Sequence, residues 1–69
     1  MNQQDIDNRF TYHAPKPGQP AIYEDIRSVV KTVAQFVDKA CPDGREKSLA
    51  ITHLEEAVFW ANAAIARAS

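Results

Sequence analysis

Residues Leu54–Arg67, LEEAVFWANAAIAR, decide how the chain must fold. The stretch is rich in Ala, Leu and Glu and holds no Gly or Pro, so it reads as helix. Ile51, Leu54, Val58, Ala61, Ile65 and Ala68 recur at spacings of three and four. That spacing puts them on one continuous stripe, which a single antiparallel helix can cover. Phe59, Trp60, Ala63 and Ala66 fall outside the stripe, on another side of the same helix. A chain this short has nothing left to cover them, so the expected cover is a second copy. Function is then expected in an assembly rather than in a monomer.

Length supports the same expectation. The chain has 69 residues, read as one α-hairpin domain over 1–69. A domain this small buries only about 60% of the surface its unfolded chain exposes. Folds below roughly 70–80 residues usually need disulfides, a metal or oligomerisation. A single cysteine, Cys41, excludes an intrachain disulfide and fits a reducing cytoplasm. His13 and His53 have no zinc-like spacing with Cys41, so no metal and no cofactor is expected. Oligomerisation remains.

Working back from the C-terminal helix, the turn before it is CPDG, residues 41–44. Asp43 as cap with Glu46 three residues on makes a capping-box pattern, opening a helix over 44–68. The partner helix is expected over 21–41. Pro20 suits a first helical position, Glu24 and Asp25 suit its N-terminal dipole, and Pro42 stops it. Ile22, Ile26, Val29, Val33, Phe36 and Ala40 form a seam of coiled-coil spacing, widened by Val30 and Val37. Ala50, Ala57 and Ala64 lie seven apart beside the stripe of the second helix, suited either to tight packing inside the hairpin or to a subunit contact. Residues 1–20 come first: Asp5–Phe10 is one helical turn or irregular, and FTYHAPKPGQP is too rich in Pro and Gly for helix or central strand. It reads as a stiff arm, and the aromatic Phe10 and Tyr12 argue that it is docked. The fold class is therefore all-α: two long antiparallel helices preceded by a short N-terminal helix or turn and a Pro-rich arm.

The formal net charge is −1, from 8 basic and 9 acidic residues, which disfavours general binding to long nucleic acid. No apolar run approaches the ~20 residues of a membrane span, and the N-terminus MNQQDID is no signal peptide. Ser28 and Ser48 have no evident His–Asp partners. Glu55 and Glu56 diverge by about 100° on a helix and read as a solvated face. His53 reads as a surface residue, and Cys41 as a small packing residue. A set of ligand-type residues remains. Tyr12 and His13 can stack on a planar base. Arg27 and Lys31, one turn apart, can hold a phosphate, the arginine through its fork and the lysine as a point charge. Arg67 closes the second helix. Each has a plainer role available: Tyr12 plugging the hairpin, Arg27 pairing with a nearby acid such as Glu24, Arg67 satisfying terminal carbonyls.

Three motifs, RFTYHAPKPGQP, YEDIR and LEEAVFWANAAIAR, occur in order between Arg9 and Arg67. Together they resemble the anti-CBASS cyclic-oligonucleotide sponges of phages, a family built on an α-hairpin domain. The resemblance implies a cytoplasmic homohexamer in the infected host cell. It would bind cyclic di- and trinucleotide messengers such as cyclic GMP-AMP between subunits, in separate pockets, without cleaving them. It implies a base-stacking role for Tyr12 and a phosphate role for Arg27, with Lys31 the alternative. Arg67, with Ser28 beside Arg27, is implied for the trinucleotide pocket.

Two other classes compete. A phosphodiesterase lacks a metal cluster or a base–nucleophile pair in this sequence. A small protein–protein adaptor would use Phe59 and Trp60 as its anchor, where a sponge would use them as an oligomer interface.

Overall fold

The computed structural model describes residues 3–12 and 14–68. It contains helices α1 (Gln3–Phe10), α2 (Gln19–Ala40) and α3 (Arg45–Arg67), with no strand among those residues. The N-terminal segment forms more helix than one turn. Gln3 Nε2 donates to Asp7 Oδ1 at 2.8 Å across one turn, and the Thr11 hydroxyl donates to the Asp7 carbonyl where α1 ends.

Lys16-Pro17-Gly18-Gln19 then reverses the chain. Gly18 has φ 85° and ψ −19°, close to the third residue of a type II turn, where glycine is favoured. The Gln19 backbone N–H donates to the Lys16 carbonyl at 3.0 Å, and the Lys16 N–H donates to Gln19 Oε1 at 2.8 Å. This closed turn starts α2 at Gln19, ahead of the expected position 21. Glu24 and Asp25 consequently lie beyond the first turn, which contains no acid.

At the other end α2 stops at Ala40. Cys41 is extended and exposed rather than packed. The expected capping box does not form. Gly44 precedes α3 with φ 158° and ψ −179°, a region nearly confined to glycine, and no side chain caps the helix. Asp43 instead meets Lys47 at 2.7 Å. The same ammonium lies 2.9 Å from Asp38 Oδ1 and donates to the Asp38 carbonyl at 2.9 Å. Lysine recruits Asp43 because it already reaches back to α2, where it ties the two helix ends together.

α2 and α3 pack as an antiparallel hairpin. On α3 the half-buried residues include Ile51, Leu54, Val58, Ala61 and Ile65, the expected stripe, while Ala68 is exposed beyond the helix end. On α2 the contact line differs from the expected seam. Tyr23, Ile26, Val30, Ala34 and Val37 are half-buried, at spacings of three and four. Ile22, Val29, Val33 and Phe36 are 47%, 64%, 43% and 71% exposed. Both rows have helical spacing; the second is rotated from the first by one edge of the helix. The hairpin uses the row carrying Ala34 and leaves the bulkier apolar row open.

No described residue is fully buried. The molecule extends 45 × 30 × 12 Å, so its thin dimension matches about one helix diameter of 10–12 Å. This is a single layer, whereas a core is normally enclosed between two. Accessible surface is 5547 Å², against about 4,300 Å² from the scaling for a folded chain of this mass.

The two faces of the layer differ. One carries the N-terminal arm. The helical repeat places Ile22, Val29, Val33 and Phe36 of α2 with Ala50, Ala57 and Ala64 of α3 on the other. All seven are exposed, so the alanine row is not packed inside the hairpin. Phe10 and Tyr12 are 85% and 84% exposed, so aromatic docking of the arm, including Tyr12 as a core plug, does not occur in the single chain. Ala63 and Ala66 are half-buried within one chain, unlike Phe59 and Trp60 at 60% and 69% exposed.

Candidate functional site

Where the arm meets the open end of the hairpin, three segments line a solvent-open cavity of about 790 Å³. That volume falls in the ~300–1,000 Å³ range of small-molecule pockets. The arm supplies Arg9, Thr11, Tyr12 and Pro15. The first two turns of α2 supply Pro20, Tyr23, Glu24 and Arg27. The last turns of α3 supply Asn62, Ala63, Ala66 and Arg67.

Local sequence explains each placement. The Pro17-Gly18 turn folds the arm back beside α2, which brings Arg9 and Tyr12 toward the mouth. Tyr23 and Arg27 are one turn apart and share an edge of α2. Asn62 and Ala66 share the facing edge of α3 in the same way. The alanines keep that wall low and leave room for a ligand.

The electrostatics favour an anion. Arg9, Arg27 and Arg67 line the cavity against one carboxylate, Glu24. None of these four side chains is held in an ion pair among the described residues. Arg27 therefore does not pair with Glu24, one of its plainer expected roles. Three unpaired guanidiniums offer forked donors to phosphate oxygens. Tyr12 and Tyr23 add two rings to the walls. One further polar group stands out: Asn62 Oδ1 is out of contact with solvent and has no hydrogen-bond partner among the described residues.

The sequence-derived candidates fall into three groups. Tyr12, Arg27 and Arg67 line this cavity together, although Arg27 and Arg67 were expected in separate pockets. Ser28 and Lys31 are exposed on α2 and stand outside it, the Ser28 carbonyl accepting from the Thr32 hydroxyl at 3.1 Å. His13 lies outside the described residues. Sequence reading missed Arg9, Tyr23, Glu24 and Asn62. The first sits three residues before Tyr12, and Tyr23 lies one turn before Arg27. Asn62 carried a signal of its own, as the polar residue within the apolar run of α3.

Groups that could suggest other chemistry lie elsewhere. His53 is on the surface with Nδ1 3.7 Å from Glu56 Oε2. No cluster of three His, Cys, Asp or Glu side chains suited to a metal occurs among the described residues. No helix among them is long and apolar enough to cross a membrane.

Fold and cleft thus define a small helical hairpin whose open end is lined by three arginines and two tyrosines. The profile of the Acb2/Tad1 hairpin domain matches residues 1–66, and the chain belongs to that family, the anti-CBASS cyclic-nucleotide sponges. No curated protein and no solved structure matches the chain.

Proposed function

We propose that this protein sequesters the cyclic di- and trinucleotide messengers of CBASS immunity, cyclic GMP-AMP among them, and releases them chemically intact. The observation that carries the reading is the cavity in which Arg9, Arg27 and Arg67 stand beside Tyr12, unpaired among the described residues. A cyclic dinucleotide presents two phosphates and two flat bases, which suit cations and aromatic rings in that arrangement. Tyr12 stacks on a base, with His13 next to it in sequence as a second ring. Arg27 holds phosphate, with Lys31 the alternative one turn on. Arg67 and Ser28 serve the trinucleotide. Ser28 and Lys31 lie outside the one-chain cavity, so their roles require a ligand that reaches over the rim toward a second subunit.

Self-association belongs to the same reading. The 69 residues act as one hairpin domain that assembles with copies of itself, as a homohexamer. The excess accessible surface is about 1,200 Å² over the scaling expectation, more than the ~800 Å² per partner of a standard interface. Phe59 and Trp60, together with the open Ile22–Phe36 row, supply apolar surface for it. In an infected cell's cytoplasm, binding alone keeps the messenger from its host effector, and no catalytic group is needed.

Incubation with cyclic GMP-AMP, denaturation and chromatography of the released nucleotide tests the proposal. Intact cyclic nucleotide supports it, while linear or hydrolysed product supports a phosphodiesterase. The exposure of Phe59 and Trp60 also suits a protein-binding adaptor, and a purified chain that is a stable monomer without nucleotide affinity favours that reading.

A further inference from the structure

We propose that the face turned away from the cavity pairs with the same face of a second copy, about a two-fold axis running along the hairpin. The inference rests on the self-association reading above and names one of its contacts. Counted from Asp43 in the turn, Phe36, Val29 and Ile22 stand seven, fourteen and twenty-one residues back along α2. Ala50, Ala57 and Ala64 stand seven, fourteen and twenty-one residues forward along α3. The Lys47–Asp38 ion pair and the packing of α2 on α3 keep residues equidistant from the turn at about one level. Each bulky side chain therefore has an alanine level with it across the hairpin: Ile22 with Ala64, Val29 with Ala57, Phe36 with Ala50. All six residues are exposed. Their seven-residue period keeps each row on one side of its helix, drifting only ~20° per repeat.

Such a face complements itself. A two-fold axis along the hairpin lays α2 of one copy over α3 of the other, at the same level. Each Ile22–Val29–Phe36 row then enters the low groove above the other copy's Ala50–Ala57–Ala64 row, and the contact is made twice. An axis across the helices would instead set α2 on α2 and α3 on α3. Bulky residues would then meet bulky ones and alanines meet alanines, leaving a gap along one helix pair that close packing does not tolerate. The available surface fits a partner of this kind. It exceeds the scaling expectation by about 1,200 Å², more than the ~800 Å² per partner of a standard interface. Pairing turns a layer 12 Å thin into two layers around a core, the usual arrangement of a domain. The arm and the cavity lie on the outer faces, so both cavities stay open to ligand.

The test links chains chemically at positions that the axis brings together. Cys41→Ser removes the single native thiol. In that background one chain carries Val29→Cys and another Ala57→Cys, and a short bismaleimide joins thiols that face each other. The mixture is expected to give mainly links between position 29 of one chain and position 57 of the other, several-fold above the like-with-like product of either chain alone. Ala57→Glu, at a position exposed in the single chain, is expected to sediment as smaller species with helicity unchanged. Predominant links between two positions 29, no excess of the mixed product, or an Ala57→Glu chain that sediments as wild type overturns this pairing and leaves self-association itself standing. A wild-type chain that sediments only as a monomer overturns self-association, and the pairing with it.

Discussion

Lys47 of α3 holds Asp38 of α2 across the hairpin turn, its ammonium 2.9 Å from the carboxylate and 2.9 Å from the Asp38 carbonyl oxygen. Asp43 in the turn is a third partner at 2.7 Å. In a layer with no fully buried residue among those described, this contact ties the closed end of the hairpin, so the open end, where the cavity lies, inherits its geometry. Lys47→Met is expected to lower the thermal midpoint by a few degrees and to lower nucleotide affinity indirectly. Asp38→Asn, which keeps the backbone carbonyl, should cost less. Circular dichroism melts check the order of the two.

The same cluster sets a pH dependence. A hydrogen bond from Lys47 and then its charge hold the Asp43 carboxyl below its ordinary value. The hydrogen bonds to Asp43 and Asp38 raise Lys47 above its own. A depressed carboxylate contributes stability that is present above its unfolded pKa and lost as pH falls through the folded one. The raised ammonium contributes stability that is present below its unfolded pKa and lost as pH climbs through its folded value. The contribution of this cluster should therefore be flat through neutral pH, with a fall below about pH 4 from Asp43 and another above about pH 10 from Lys47. Lys47→Met should remove both contributions, which a comparison of melting curves across pH would register.

Gly18 is the hinge between arm and α2. Its φ of 85° is left-handed, and Gly18→Ala meets no neighbour within 4 Å, so the cost is conformational rather than steric crowding. That cost is about 1–2 kcal/mol. It falls on the turn that brings Arg9 and Tyr12 to the cavity. Affinity for cyclic dinucleotide should drop while the α2–α3 hairpin keeps its helicity. Parallel titration and circular dichroism test the separation.

Tyr12 and Trp60 make a contrasting pair. Tyr12→Ala should weaken dinucleotide binding by about 1–3 kcal/mol and leave the oligomer intact. Trp60→Ala should cost little in an isolated chain, where the ring is 69% exposed. In an assembly that buries it, the cost rises to roughly 3–5 kcal/mol. Sedimentation velocity distinguishes the two variants, since only the second is expected to shift toward smaller species.

The fold was largely legible because α3 has one clear stripe and Pro42 and Gly44 punctuate the turn. The face of α2 was not, since two apolar rows compete on it. The chosen row contains Tyr23 and Ala34, which hydrophobicity alone ranks below Val29 and Phe36. The capping box failed because Gly44, not Asp43, holds the cap position, while Asp43 pairs with Lys47, which also reaches Asp38, nine positions back. In the cavity, Tyr12, Arg27 and Arg67 were readable as ligand types. Their meeting was not, because it depends on how far the Pro17-Gly18 turn folds the arm toward the C-terminal end of α3. Asn62 stood out as a polar residue in an apolar run, but its place on the cavity wall depends on the same approach of arm and helix.

The most direct measurement is a calorimetric titration of the purified protein with cyclic GMP-AMP, followed by recovery of the nucleotide from denatured complex. The account predicts saturable binding, loss of affinity in Tyr12→Ala and in Arg27→Ala, and quantitative return of the intact cyclic molecule. Absence of binding at any oligomeric state, or recovery of a linear product, would contradict it.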